Sequence, residues 1–412
     1  MLQNNYRTNK DRTQLYSPIS QLPVSGSSNV RLESDSSGIE RPNCTISVCL
    51  VISSLGCGGA ERVASYLINH LAQRSYHTSL VTLDSDAAPP FYSIESNVRI
   101  VRLNLYSKSQ NKVVGLFANC RRIVRLRRAL GSLKPSVIIS FIEKTNVLAL
   151  IAMLGRNVPL IACERTDPAH YKIAYPWSEL RNMFYRRAFK VIVQTTSALE
   201  FFPRAIRERA EVVPNPVFPA RVSHDHLLRV PESIHFVSLG RLSHEKGYDL
   251  LLTAFRTLVV RQPKCMLTIW GEGPCRRALE ELRENYGLTQ HVRFPGQTPD
   301  SFSALRTADI FVSSSRFEGF PNALCEAMAC GVAVIAVDCP SGPRHIVRHG
   351  IDGILVPPNE VAALAAALES LAVDPGLRQR LGQRGTEITR RFNAERIFST
   401  WENLIYKAAA AI

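Results

Sequence analysis

The sequence predicts an α/β protein with two domains, each built on a doubly wound parallel sheet. Two observations carry this prediction. From residue 45 onward, short apolar runs alternate with amphipathic helical stretches, which is typical of parallel sheets covered by helices on both faces. The chain also has 412 residues, which is long enough for two domains with separate hydrophobic cores.

The first half opens with a strand predicted at residues 46–53, a glycine turn and a helix of regular 3.6-residue apolar period. Strand, glycine turn and helix together bring backbone N–H groups against phosphate, and dinucleotide-binding folds begin in the same way. Glu61, however, stands where the last glycine of the dinucleotide motif is required. Five further strands are predicted at residues 77–83, 98–103, 137–141, 158–163 and 190–194.

The second half repeats this architecture, with strands predicted at residues 234–239, 266–270, 292–294, 309–312 and 332–337. Between its last two predicted strands lies the stretch 315–331, which reads as a turn followed by a helix. Pro321 suits the first turn of that helix and Gly331 suits its end. Glu318 falls in the turn, and Glu326 falls inside the helix among small neighbours.

The start of this helix has the character of an anion site. The free N–H groups of residues 322–324 suit a diphosphate, and Glu318 would stand just outside. Each glutamate alone is compatible with an ordinary surface or helix position. The whole stretch, with seven residues between Glu318 and Glu326, resembles the paired-glutamate signature of the retaining nucleotide-sugar glycosyltransferases of family 4, which have the two-domain GT-B fold.

The resemblance covers residues 46–410. It implies two Rossmann-like domains that face each other across a cleft, and a role for the matching positions that follow. Arg241 and Lys246, in the turn at 240–247, would hold the donor diphosphate, and the two cations need no metal to stabilise the leaving group. Glu318 would contact hydroxyls of the transferred sugar and Glu326 the ribose. The remaining donor-binding positions are Gly58, Gly59, Gly271, Gln297, Gly319, Phe320, Pro321, Asn322, Ala323 and Leu324.

The strand predicted at 137–141 ends without the histidine that many family members carry near this point. Glu143 and Lys144 are the candidates for its catalytic role, the alternative being an ion pair that merely closes the strand end. The next strand ends in Glu164-Arg165-Thr166-Asp167-Pro168, which resembles a motif of the bacterial surface-polysaccharide branch of the family.

The predicted domain limits follow composition and motif positions. Residues 1–44 are polar and serine-rich, which predicts a disordered extension and not a secretion signal. We expect an acceptor-side domain at 45–218, a hinge at 219–231, a nucleotide-sugar-binding domain at 232–390 and a terminal helix at 391–412. In GT-B enzymes such a helix crosses back onto the first domain.

The net charge of +15 resides mainly in the first half, where residues 45–230 carry 25 Lys+Arg against 12 Asp+Glu. Arg121, Arg125 and Arg128 share one helical face, which fits contact with an anionic membrane surface, or alternatively an ordinary solvated face. A second basic cluster comprises Arg181, Arg186, Arg187 and Lys190. Nucleic acid is disfavoured as a partner because aromatic stacking platforms are missing from these helices.

The expected function is transfer of a hexose or N-acetylhexosamine, most simply from a UDP-sugar, to a polyprenyl-diphosphate-linked saccharide. No cofactor beyond the donor and no metal are expected, although Asp84-Ser85-Asp86 superficially resembles a metal-binding Asp-x-Asp motif. Ten scattered cysteines favour a reduced, cytoplasmic setting. The expected lipid-linked acceptor adds peripheral association with the inner face of the plasma membrane. The rival interpretations are a dinucleotide-dependent oxidoreductase and an inactive glycosyltransferase-like protein.

Overall fold

The computed structural model describes residues 46–74, 76–85, 89–105, 112–220, 233–298 and 300–411. The predicted extension at 1–44, most of the predicted hinge at 219–231, and Asp86 lie outside these ranges. The domain limits given above therefore stay predictions. Residues 45–412 form one compact unit.

The first half of this unit contains a seven-stranded parallel sheet in the order β3-β2-β1-β4-β5-β6-β7. Its strands are β1 (Ser47–Ile52), β2 (His77–Thr82), β3 (Arg99–Arg102), β4 (Val137–Phe141), β5 (Leu160–Cys163), β6 (Lys190–Val193) and β7 (Ala210–Val212). Its helices are α1 (Gly59–Ala72), α2 (Lys112–Leu133), α3 (Glu143–Ala152), α4 (Trp177–Phe184), α5 (Thr196–Glu200) and α6 (Arg204–Arg207).

The second half contains a six-stranded parallel sheet in the order β10-β9-β8-β11-β12-β13. Its strands are β8 (Ile234–Leu239), β9 (Cys265–Trp270), β10 (Val292–Gly296), β11 (Ile310–Ser313), β12 (Ala333–Val337) and β13 (Ile354–Val356). The helices are α7 (Tyr248–Arg261), α8 (Arg276–Asn285), α9 (Ser301–Arg306), α10 (Asn322–Ala329), α11 (Pro343–Ile346), α12 (Val361–Val373), α13 (Pro375–Gly385), α14 (Ile388–Arg391) and α15 (Ala394–Ala409).

Both faces of each sheet are covered, and the apolar runs explain why. Alternate residues of β1 supply two separate cores: Leu50 packs into the core that contains α1, and Val51 into the core that contains part of α2 and α3. In β12, Ile335 and Val334 divide between two cores in the same way. A strand buried on both faces must be apolar throughout, so the runs are continuous and not alternating.

The last helix, α15, crosses back onto the first sheet. Its residues Ile397, Phe398, Trp401, Leu404 and Ile405 belong to the same core as β1 and α1. Beside the crossing, Val217 pairs with Asn393, and Val217 N donates to Phe392 O at 2.9 Å. The predicted fold class, including the crossing helix, is therefore confirmed.

The remaining differences from the predicted elements are small. Strands β7 and β13 were not predicted; each has only three residues, too few to show a pattern. Pro321 stands at the N-cap of α10, one residue before the helix, and not in its first turn. Gly331 follows the helix with φ +73°, the left-handed conformation expected of a glycine that ends a helix.

Candidate active site

The predicted site residues meet where the strand order reverses in each sheet. In the first sheet the reversal lies between β1 and β4, and in the second between β8 and β11. In a doubly wound sheet, ligands bind outside the carboxyl ends of the strands at this point. The segments after these four strands all line one cleft of about 680 Å³.

The cleft contains every predicted donor-binding residue and all but one of the predicted catalytic residues. These are Gly58, Gly59, Glu143, Arg241, Lys246, Gly271, Gln297, Glu318, Gly319, Phe320, Pro321, Asn322, Ala323, Leu324 and Glu326. Lys144 is exposed and is not among the lining residues. Arg121, Arg125 and Arg128 lie elsewhere, on the exposed surface of α2.

Glu318 and Lys246 form an ion pair within the second half. Lys246 Nζ donates to Glu318 Oε1 at 2.5 Å, and Ser315 Oγ donates to the same oxygen at 2.6 Å. Although burial opposes the charge on Lys246, Glu318 raises the pKa of Lys246, so the ammonium persists in the cleft. The Lys246 ammonium and the Glu318 carboxylate are thus held side by side, just beyond the carboxyl ends of β8 and β11.

The turn that carries Lys246 requires a glycine. Gly247 has φ +62°, and a Cβ at this position would lie 2.2 Å from Ser314 O. Ser314 Oγ also donates to Lys246 O at 2.9 Å. The close contact between this turn and the end of β11 fixes the base of the Lys246 side chain.

Glu326 is held from the other side of the cleft. Its Oε1 accepts from Arg62 Nη1, which belongs to α1 in the first half. Its Oε2 is buried and has no hydrogen-bond partner among the described residues. Arg62 is not among the residues predicted from the sequence, because nothing in a linear pattern indicates a partner 264 positions away.

A series of hydrogen bonds through the side-chain amides of Asn215 and Asn322 fixes the beginning of α10. Asn215 Oδ1 accepts from Arg165 Nη1 at 2.9 Å and from Gln194 Nε2 at 2.8 Å. Asn215 Nδ2 in turn donates to Asn322 Oδ1 at 2.6 Å, and Asn322 Nδ2 donates to Gly59 O at 3.3 Å. These bonds join the carboxyl ends of the first sheet to the helix end predicted to bind diphosphate.

Two buried carboxyls lie in the first half beside the cleft. Burial raises the pKa of Glu164 to about 7, with a contribution from the nearby Glu143 and opposition from Arg181. Tyr185 Oη donates to Glu164 Oε1 at 2.6 Å. Burial also raises the pKa of Glu143, which lines the cleft and follows Ile142, a β-branched residue at φ +74°. Backbone strain of this kind concentrates at functional sites.

The acidic residues near the glycine loop have structural partners. Ser54 Oγ donates to Glu61 Oε1 at 3.0 Å, and a Cβ on Gly58 would meet the Glu61 carboxylate. Asp84 Oδ2 accepts from Leu55 N at 2.9 Å, and its Oδ1 accepts from the Thr82 hydroxyl. Both oxygens of Asp84 therefore hold the loop in place.

The basic surface differs in part from the sequence prediction. Arg121, Arg125 and Arg128 are exposed, near the exposed apolar side chains Leu116 and Phe117. The second predicted basic cluster is wrong in one member, because Arg181 is only 4% exposed. Its guanidinium lies over the rings of Phe201 and Phe202, where it faces the two buried carboxyls. No helix in the described part of the chain has the length and apolarity to cross a bilayer.

Comparison with known families gives two matches that together span most of the chain. Residues 58–216 match the model of the glycosyl transferase 4-like domain. Residues 222–388 match the model of glycosyl transferases group 1. The two matched regions hold the glycine loop and the paired glutamates, respectively.

Individual proteins are also similar to this chain over most of its length. The chain is 28% identical over 366 residues to the Campylobacter jejuni GalNAc-α-(1→4)-GalNAc-α-(1→3)-diNAcBac-PP-undecaprenol α-1,4-N-acetyl-D-galactosaminyltransferase, covering 87% of this chain and 98% of the relative. Among solved structures, sucrose-phosphate synthase from Thermosynechococcus elongatus has a TM-score of 0.76 at 23% identity, covering 89% of this chain and all of that one. Anabaena HepE in complex with UDP has a TM-score of 0.70 at 18% identity, covering 88% and 100%. The chain therefore belongs to the GT-B glycosyltransferases.

Proposed function

We propose that this protein is a retaining, metal-independent glycosyltransferase that moves a hexose or N-acetylhexosamine from a UDP-sugar to a polyprenyl-diphosphate-linked saccharide. One observation carries the proposal. Arg241, Lys246 and the N-terminus of α10 line the same cleft as Glu318 and Glu326, at the switch point of the second sheet. This set has the charges that a nucleotide sugar requires.

The cations account for the departure of the nucleotide. When the bond between the sugar C1 and the diphosphate oxygen breaks, negative charge develops on the diphosphate. Lys246, Arg241 and the N–H groups at the start of α10 stabilise that charge, which is the role that a metal ion plays in other enzymes. Lys246 keeps its proton next to Glu318, so it is charged before the donor arrives.

The carboxylates account for recognition of the sugar and the ribose. Glu318 accepts hydrogen bonds from hydroxyls of the transferred sugar, and Glu326 accepts from the ribose. The acceptor hydroxyl then forms its bond to C1 on the face that the diphosphate leaves, and its proton passes to the departing phosphate oxygen. Retention of the anomeric configuration follows from attack on that face.

The proposal for the acceptor rests on the name of a relative and on the exposed side chains of the first half. The name of the Campylobacter relative describes a saccharide linked through a diphosphate to undecaprenol. An acceptor of this kind holds its sugar near the lipid headgroups. The exposed arginines and apolar side chains of α2 suit such a surface, and we propose that the protein works at the inner face of the plasma membrane.

The first test is a panel of nucleotide sugars measured by thermal stabilisation and by slow hydrolysis without acceptor. We expect a UDP-hexose or UDP-N-acetylhexosamine at about 100 times its Kd to stabilise the fold by about 2.7 kcal/mol. GDP-sugars and NADPH serve as controls. Stabilisation by NADPH alone, with an absorbance change on turnover, would favour an oxidoreductase.

The second prediction concerns the leaving-group cations. Lys246→Ala should lower kcat by about 10²- to 10³-fold, because one preorganised donor to the developing charge is lost. Lys264→Ala, an exposed lysine of the same half, is the matched control and should leave kcat near the wild-type value. Activity should also survive EDTA. Full activity of Lys246→Ala, or strict dependence on a divalent metal, contradicts the proposed leaving-group chemistry.

The third prediction separates the two candidates at the end of β4. Glu143→Gln keeps the shape of a buried, cleft-lining side chain but removes the carboxylate that would orient the acceptor hydroxyl, so transfer should fall by about 10²-fold. Affinity for UDP, measured by calorimetry, should stay within threefold of wild type, a small change on the scale of the binding energy. Lys144→Ala is the companion variant. A loss of transfer in Lys144→Ala but not in Glu143→Gln would assign the role to the lysine.

The fourth prediction concerns the membrane surface. Replacing Arg121, Arg125 and Arg128 together by glutamine should release the protein from anionic vesicles, because each nearby arginine contributes roughly 1 kcal/mol of attraction. Transfer to a lipid-linked acceptor should slow, while transfer to a soluble acceptor analogue should persist. The control replaces Arg277, Arg380 and Arg390, three exposed arginines of the second half, by glutamine. Equal sedimentation of both triple variants with vesicles contradicts the proposed contact.

A further inference from the structure

Arg62 joins the two halves of the protein inside the cleft. It lies in the first turn of α1, where Arg62 N donates to Gly58 O at 3.0 Å. Its guanidinium lies over the ring of Tyr92, 5.2 Å from the ring centroid, and forms an ion pair with Glu326 of α10. The two side chains of this ion pair are only 13% and 10% exposed.

Two buried charges in contact are stable only when their geometry and remaining hydrogen bonds are good. For Arg62 that condition is met by the aromatic face and the carboxylate. Burial opposes its charge, but Glu326, together with the nearby Tyr92 and Tyr66, raises the pKa of Arg62. Arginine suits this position because its planar guanidinium stacks on a ring while its N–H groups reach a carboxylate.

The buried carboxylate of Glu326 has a hydrogen-bond partner at only one of its two oxygens. Arg62 binds Oε1, whereas Oε2 is buried without a hydrogen-bond partner in the described part of the chain. Glu326 is one of the residues that line the cleft. A buried carboxylate oxygen left unpaired costs free energy, and such an atom at the edge of a cleft fits a ligand that brings its own donor. A sugar hydroxyl is a donor of the required kind.

We propose that Arg62 is a positioning residue of the donor site: it holds Glu326 ionised and oriented so that Oε2 accepts a hydrogen bond from the ribose of the nucleotide. This inference rests on the proposed function, in which Glu326 contacts the ribose. Arg62 does not itself touch the nucleotide in this account. It acts through the carboxylate, with Tyr92 as its support.

The consequence is that the ribose site is built by both halves of the protein. Glu326 belongs to the second sheet's half and Arg62 to the first, so the carboxylate takes its binding orientation only when α1 and α10 are together. The bond from Asn322 Nδ2 to Gly59 O, at 3.3 Å, joins the same two helix ends at a second point. Recognition of the donor is thereby coupled to the position of the acceptor-side half.

The experiment compares the affinities of UDP and 2′,3′-dideoxy-UDP by calorimetry. A hydroxyl that donates to a buried carboxylate should make wild-type protein prefer UDP by about 10- to 100-fold. In Arg62→Ala the preference should fall below about threefold, as it should in Glu326→Ala, and the double variant should fall no further because both act through one contact. Arg62→Gln tests the same point with a side chain that fills more of the space.

Other variants define what a purely structural role would look like. Arg62→Lys should recover part of the preference, because it restores the charge without the planar fork. Arg261→Ala breaks an ion pair with Glu369 on the exposed surface of the second half and should keep the full preference. If Arg62→Ala and Arg62→Gln discriminate as wild type does, Arg62 only packs in the cleft and the inference is wrong.

The result for wild-type protein separates this inference from the proposed function. Equal affinity of wild type for UDP and 2′,3′-dideoxy-UDP overturns the role of Arg62 and Glu326 toward the ribose but leaves a UDP-sugar transferase possible. Absence of binding to UDP and to every nucleotide sugar of the panel overturns the proposed function itself. A preference present in wild type and lost in both Arg62 variants supports the positioning role.

Discussion

The chemistry of this protein depends on the way its two parallel sheets are held with their carboxyl ends toward one cleft. Helix α15 starts in the second half and buries Phe398 and Trp401 in the core of the first sheet. Alongside it, Val217 and Asn393 pair where the chain passes between the halves. Large apolar side chains buried across a junction keep its two sides together, so the residues that follow β1, β4, β8 and β11 meet.

Two ion pairs lie within the cleft. Lys246 faces Glu318 inside the second half, and Arg62 faces Glu326 across the two halves. On the proposed function, an arriving diphosphate brings negative charge to Lys246 and to the N-terminus of α10, while the carboxylates accept hydrogen bonds from hydroxyls of the sugar and the ribose. Preorganised opposite charges suit this exchange, because the groups are already desolvated and oriented when the ligand enters.

The wall of the cleft formed by the first half follows a different principle. Burial raises the pKa of both Glu143 and Glu164, the positive charge of Arg181 opposes that rise, and Tyr185 Oη donates to Glu164 Oε1. Burial, with a contribution from Glu143, raises the pKa of Glu164 to about 7, so this carboxyl titrates near neutral pH, and perturbed carboxyls of this kind are frequent near functional sites. The strained backbone at Ile142 presents Glu143 to the cleft from the end of β4, at the switch point of the first sheet.

By itself, the sequence determined the fold class, the crossing helix and the turns of the second half that line the cleft. These features depend on local pattern: apolar runs require buried strands, and glycine, proline and paired glutamates occur at set spacings. Only the tertiary structure decided the pairing of Arg62 with Glu326, the hydrogen bonds through the amide of Asn215, and the burial of Arg181. Their partners are far apart in the chain, and a charged residue gives no local sign of whether it will meet water, an aromatic ring or a distant carboxylate. The three-residue strands β7 and β13 were missed for a related reason, since their neighbours in the sheet, and not their own residues, determine them.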